Sequence, residues 1–204
     1  EEAELFDKLP YEMRRAQELN RVLDNSDALL DLHDFSDPKG PVFMITEELG
    51  FPVACMIGAP VISSGWSVTE FGGSDSRMAS QQKVGICYEL GDKTQPIANL
   101  TRGMGARDRF LEQLGLREQV SEPMYLNPRY IHTDRAVLRE LGDFRMGRQD
   151  FMTFMPLEPG ELIAINGGKE MRATEGQVII FPSKTMPAVG EEAFSLGHIL
   201  DRVA

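Results

Sequence analysis

Ala28-Leu29-Leu30-Asp31-Leu32-His33 and Gly85-Ile86-Cys87-Tyr88-Glu89-Leu90-Gly91 are two short apolar runs, each of which turns polar at its carboxyl end. The first is followed by the turn-rich Ser36-Asp37-Pro38-Lys39-Gly40, and the second stops at Gly91. Runs of four to eight apolar residues bounded by turn signals read as strands buried on both faces, the texture of a parallel sheet. Pro41 to Thr46 and Phe51 to Ile57 share it and are expected to be strands as well. Around them the period changes. Leu9, Met13, Ala16, Leu19 and Leu23 recur at three and four, with Asp7 as N-cap and Pro10 near the first turn, which predicts an amphipathic helix. Ile97, Leu100, Met104, Phe110, Leu111 and Leu114 predict another from Pro96 to Leu114, stopped by Gly115. Strands alternating with helices define an α/β class with parallel members.

Beyond about Val120 the pattern becomes a series of short β-type runs. Tyr130 to Val137, Phe151 to Met155, Glu161 to Ile165 and Gln177 to Phe181 are separated by Glu158-Pro159-Gly160, Asn166-Gly167-Gly168 and Thr174-Glu175-Gly176. The expected organisation is an α/β unit over 1–118 and a small all-β unit over 119–204.

Composition narrows the function. The 204 residues are 42% hydrophobic, and 21 Lys and Arg against 32 Asp and Glu give a net charge of -11. That is the wrong sign for a surface that binds phosphate backbones, so no nucleic-acid partner is expected. No stretch approaches the ~18 apolar residues of a membrane span, and Glu1-Glu2-Ala3-Glu4 is not a signal sequence, so no membrane partner is expected either. Cys55 and Cys87 lie in apolar runs, where free thiols behave as small hydrophobes, and a reducing cytoplasmic location follows. The charged helical opening without an initiator Met suggests a piece of a longer protein.

His33 and Glu89 carry the chemistry. Both close apolar strands, and ligands of open α/β sheets sit beyond the carboxyl ends of strands. Asp31, two residues before His33 and so on the same strand face, can accept from the imidazole; Asp34 competes for that role. A strand-end histidine also serves as a hydrogen-bonded structural residue, and Glu89 could instead cap a helix or pair with an arginine. His132 and His198 alternate with apolar neighbours and read as half-exposed strand positions. Gly103-Met104-Gly105 lacks the third glycine of a dinucleotide loop, Cys87 has no histidine beside it to act as a base, and the 11 Met fill core gaps.

Taken together, Ala28 to His33 and Gly85 to Gly91 resemble two signatures of the succinylglutamate desuccinylase/aspartoacylase family. Tyr11 to Leu19, the Pro96 to Gly115 helix, and the tail through Glu158-Pro159-Gly160-Glu161, Gly176 to Pro182 and Gly190 to Phe194 are similar to further parts of it. The resemblance implies a zinc-carboxypeptidase-like mixed sheet with flanking helices, followed by a small all-β domain. It implies a zinc-dependent amidohydrolase cleaving the N-acyl bond of an acylated amino acid or similar small amide. By it His33 is a ligand of one Zn2+ ion, Glu89 the general acid/base, Arg77 the holder of a substrate carboxylate, and Asp31 a support for His33. A metal-bound water ionises near pH ~7, and a carboxylate beside it can take that proton and deliver it to the leaving amine.

The departures are equally specific. The family's His-x-x-Glu segment, which supplies two more zinc ligands, and the Asn-Arg pair after it are missing from this chain, so the remaining ligands are expected upstream of residue 1. Asn20-Arg21 lies inside the first helix and does not take that role. A metal-free binding module is therefore one alternative. A biotinyl- or lipoyl-like carrier is another, with Lys184 in Ser183-Lys184-Thr185-Met186 as its modified residue. Homo-oligomerisation is left open.

Overall fold

The computed structural model describes residues 10–35, 40–69, 72–118 and 127–200. Asp7 and Leu9, at the expected start of the first helix, lie outside the described residues. The helix itself, α1, runs Tyr11–Asp24 behind Pro10. It leads into β1 (Ala28–Phe35). Then come β2 (Phe43–Thr46), a 3-10 turn at Glu48–Gly50, α2 (Phe51–Ile57), β3 (Val61–Ser64), and the short helices α3 (Trp66–Thr69) and α4 (Ser74–Ser80). The Glu-Leu-Gly run lies in β4 (Val84–Asp92), followed by the 18-residue α5 (Pro96–Gln113). The rest is β5 (Arg129–Leu138), β6 (Phe144–Met146), β7 (Met155–Pro156), β8 (Leu162–Asn166), β9 (Lys169–Arg172), β10 (Gln177–Ile180) and β11 (Glu192–Leu200).

Eight of these strands form one mixed sheet in the order β1-β4-β2-β3-β5-β11-β10-β7, and β6-β8-β9 form a small antiparallel sheet. β1 and β4 are parallel, β2 is antiparallel to β4, and β3 is parallel both to β2 and to β5. The expected α/β class, a mixed sheet flanked by helices with a smaller β unit, is the observed one. The expected boundary at 118/119 falls beside a stretch outside the described residues. Past it, β5 pairs with β3, so the large sheet continues from one half of the chain into the other.

Three apolar clusters hold the layers. Met44, Ile62, Ile86, Tyr88 and Leu90 face α2 and α5 through Phe51, Ala54, Ala106 and Phe110. On the opposite face Phe43, Ile45, Val61, Cys87 and Ile131 pack with Trp66, Phe154, Val178 and Ile180. A third cluster joins the two sheets through Phe144, Ile163, Ile179, Phe194 and Leu196.

Two expectations fail. Phe51 to Ile57 is a helix, with Pro52 in its first turn and Phe51, Ala54 and Ile57 buried at a spacing of three. An all-apolar run of seven carries no alternation to tell the two periods apart, and the buried stripe decides it. Phe151 to Met155 is mostly a turn closed by Met155 N–H donating to Met152 O at 3.0 Å. Phe151 and Phe154 are buried there as a strand would bury them, but Phe154 has φ +61° and cannot continue a ladder.

Candidate active site

Parallel pairing sets β1 against β4 in the register Asp31↔Cys87 and His33↔Glu89, so these four side chains share one face at the carboxyl ends of the two strands. On that row β2 adds Phe43, the antiparallel partner of Glu89. The sequence explains the placement. Leu30, Ile86, Tyr88 and Leu90 pack into the α5-side core, and the period of two sends the residues between them to the other face.

Asp31 is the hub. One carboxylate oxygen lies 2.9 Å from His33 Nε2, and the other accepts from Ser74 Oγ at 2.5 Å. Ser74 opens α4, which packs across β4 and β1, and so the helix fixes the carboxylate that fixes the imidazole. The His33 side chain is 51% exposed and that of Asp31 31% exposed, so the imidazole is open to solvent while its partner is half covered. Asp75, next on α4, is buried, and burial pushes its carboxyl above the usual range despite N–H donors from its own backbone and that of Ser76. The nearby charges of Glu47 and Asp31 push the same way. Asp34 does not take the orienting role: it lies on the strand face opposite His33.

The floor beside Glu89 is aromatic. Phe43 packs edge-on against Phe154 with centroids 4.8 Å apart, and Phe35 and Phe181 lie 6.2 and 5.7 Å from it. Trp66 closes the group at 5.6 Å from Phe181. Phe181, with φ +47°, is held there by its N–H donating to Thr153 Oγ1 at 3.2 Å. Sequence reading missed this wall, because Phe154 and Phe181 come from turns far along the chain.

Arg77 is not brought to this row. It sits in the last turn of α4, and its guanidinium grips Asp24 through Nε at 3.0 Å and Nη2 at 2.7 and 2.9 Å. Asp24 ends α1 just before β1 begins, so Arg77 is at the amino end of the strand, whereas His33 is toward its carboxyl end. This bond, more than any other, holds the Asp24 carboxyl below the usual carboxylate range.

The two other histidines form a separate polar row. His132 and His198 are partners across β5 and β11 with ring centroids 5.5 Å apart. Ser64 Oγ lies 3.2 Å from His132 Nδ1, and Asp134 Oδ1 2.8 Å from His198 Nδ1. Half-exposed strand positions were expected for both, and both are intermediate in exposure. Lys184 is in the loop between β10 and β11, where its ammonium donates to the Phe151 carbonyl at 2.5 Å.

Among the described residues no three His, Cys, Asp or Glu side chains converge to hold a metal ion. His33 is one imidazole with one close carboxylate, and a catalytic zinc takes three protein ligands. These residues alone do not fit that metal.

Solved structures share this fold. A succinylglutamate desuccinylase/aspartoacylase from Rhodobacter sphaeroides superposes with a TM-score of 0.66 at 14% identity, over 96% of this chain and 65% of the other. A succinylglutamate desuccinylase from Vibrio parahaemolyticus gives 0.63 at 17%, over 92% and 59%. The product-bound ectoine utilization protein EutE (DoeB) from Ruegeria pomeroyi gives 0.64 at 18%, over 94% and 64%. No family model and no curated protein matches the sequence. The class is thus defined by its sheet: the chain has the fold of the succinylglutamate desuccinylase/aspartoacylase structures. It spans about three fifths of the length of these neighbours.

Proposed function

We propose that this chain belongs to the succinylglutamate desuccinylase/aspartoacylase family and is part of a zinc-dependent amidohydrolase that cleaves the N-acyl bond of an acylated amino acid or similar small amide. The observation that carries the reading is the His33–Glu89 register pair at the carboxyl ends of adjacent parallel strands. Glu89 is the general acid/base: it accepts a proton from the attacking water and returns it to the departing nitrogen. Asp31, itself held by Ser74, orients His33. His33 is one zinc ligand, and the reading places the others outside residues 1–204. Arg77 is left out of substrate binding because Asp24 already occupies its guanidinium. The free thiols Cys55 and Cys87 agree with a reducing, cytoplasmic setting.

The test is amine release from a panel of N-acyl amino acids by the polypeptide encoded with its natural upstream residues, before and after chelation. Release that chelation abolishes and zinc restores supports the reading. A well-folded, zinc-supplied polypeptide that cleaves none of the panel overturns it.

A metal-free binding module is the second reading, favoured by the Asp31 carboxylate that already lies 2.9 Å from His33 Nε2. Equilibrium dialysis of that longer polypeptide against zinc separates the two. One tightly held ion per chain supports the hydrolase, and none supports the module.

A further inference from the structure

Ser64 on β3, His132 on β5, His198 on β11 and Gln177 on β10 are successive register partners, so one polar row crosses four strands on a single face of the large sheet. Ile131 and Thr133, on either side of His132 in sequence, are buried on the other face. In the middle of the row the His132 and His198 rings stand with centroids 5.5 Å apart and planes tilted by 55°. Each ring has its Nδ1 beside an oxygen: Asp134 Oδ1 at 2.8 Å for His198, and Ser64 Oγ at 3.2 Å for His132. An ionised carboxylate only accepts, so it places the proton of His198 on Nδ1 and the lone pair on Nε2. The Ser64 hydroxyl accepts from His132 in the same sense. Two imidazoles backed by oxygens at Nδ1, with Nε2 as the remaining ring nitrogen, are arranged as metal-ligating histidines are. The spacing agrees, since nitrogens about 2.1 Å from one tetrahedral ion put the two ring centres about 5 Å apart. Room for the His132 ring comes from Gly65, at φ +80°, where a Cβ would lie 2.6 Å from Cε1. Solvent reaches the pair: the side chains of His198 and Asp134 are 42% and 36% exposed.

We propose that His132 and His198 bind one divalent ion of the zinc class through both Nε2 atoms, with Asp134 and Ser64 as the groups that position the rings. Imidazole selects such ions over Mg2+ and Ca2+, which take oxygen ligands. Among the described residues no third His, Cys, Asp or Glu completes the group, so water or a donor atom of a bound small molecule fills the other positions. With two protein ligands the ion exchanges readily, unlike the tightly held ion of the hydrolase reading. The two sites are separate. β2 and β3 lie between β4 and β5, and the faces differ as well. Cys87, on the face of the His33–Glu89 row, packs in the same cluster as Ile131, and His132, one residue on from Ile131, is turned to the other face.

Calorimetric titration of the 204-residue chain with zinc at neutral pH tests this, beside four single variants. The wild type should take up one ion through this pair. His132→Gln and His198→Gln should each abolish that uptake, Asp134→Ala should weaken it about 10- to 100-fold, and His33→Gln should leave it unchanged. Melting curves without zinc show which variants are folded, and the half-exposed His198 carries the test if His132→Gln is not. Zinc should raise the melting temperature of the wild type and of His33→Gln, but not that of His198→Gln. Binding that survives the loss of either His132 or His198 in a folded variant overturns the proposal, and surface carboxylates of a chain of charge -11 would then account for it. An ion lost in His33→Gln, or no binding by the wild type, overturns it too. None of these readouts measures hydrolysis, so a failed deacylase assay leaves this result standing.

Discussion

His33 and Glu89 stand directly opposite each other on adjacent parallel strands, and Phe43 extends their row onto β2. An imidazole and a carboxylate on the same face at strand ends meet at the point where an α/β sheet presents groups to a ligand. The pair is built from both sides. Apolar contacts of Leu30, Ile86, Tyr88 and Leu90 fix the backbone beneath it, and Ser74 and Asp31 fix the imidazole above.

Replacing Glu89 with Gln should preserve the fold and nearly abolish turnover in the complete enzyme. Gln keeps the volume and its hydrogen-bonding capacity but neither accepts nor delivers the proton. The expected loss in kcat is 10²- to 10⁴-fold, about 3–5 kcal/mol of barrier. If the melting temperature is unchanged and kcat is too, Glu89 has no part in the chemistry.

The close approach of α4 to β4 is tested at Gly85. A Cβ built there would lie 2.7 Å from the Asp75 carbonyl oxygen and 2.8 Å from Met78 Cβ. Backbone cannot give way as a flexible side chain does, so Gly85→Ala should push the helix off the sheet at a cost of about 1–3 kcal/mol. Thermal unfolding reads this as a fall of roughly 2–4 °C per kcal/mol for a chain of this size. An unchanged melting temperature would show that α4 is not packed this tightly.

Much of this fold was legible because the central strands are apolar on both faces and end on polar groups: β1 and β4 stand where their patterns put them, and so do α1 and α5. The failures share one cause. Phe51 to Ile57 is apolar throughout and Phe151 to Met155 is apolar but for Thr153, so neither period shows, and tertiary burial chose a helix for one and a turn for the other. Of the site, the His33, Asp31 and Glu89 row could be read from spacing along two strands. Ser74, Phe154 and Phe181 could not, because their places depend on contacts between segments distant in sequence. Arg77 is a substrate-binding residue by the family resemblance, but α4 runs toward the amino end of β1 and delivers it to Asp24.

Asp75 gives a pH signature. Burial raises its carboxyl above the ordinary value of 3.8, so the native state holds this proton more tightly than the unfolded chain does. The sign follows from linkage: stability is fullest below the unfolded value and declines as pH rises through the native one. At neutral pH the buried charge opposes folding. Asp75→Asn keeps the volume and removes the buried charge, so it should stabilise at neutral pH by on the order of 1 kcal/mol, roughly 2–4 °C, and flatten the decline. Melting curves across mildly acidic to neutral pH check this. A variant less stable than wild type at pH 7 would mean that the carboxylate is needed in its charged form.

Tyr130 offers a test of the packing between α2 and β5. Its hydroxyl lies 3.3 Å from Cys55 Sγ, and its ring packs on Phe51 with centroids 5.9 Å apart. The hydrogen bond with Cys55, with burial second, pushes the phenol up to about 12. Tyr130 should therefore ionise well after the ordinary value near 10. Because the native value is raised, its contribution to stability is fully present below pH ~10 and is lost as pH rises through about 12. Cys55→Ala removes the partner while keeping a small apolar side chain, so the Tyr130 phenol should move down toward its ordinary value and the stability lost between pH ~10 and about 12 should shrink. A tyrosinate absorbance titration of both proteins, paired with urea unfolding at moderately and strongly alkaline pH, reads the two effects separately. If all four tyrosines of the wild type ionise together and Cys55→Ala changes neither curve, α2 does not hold Cys55 against Tyr130 in solution.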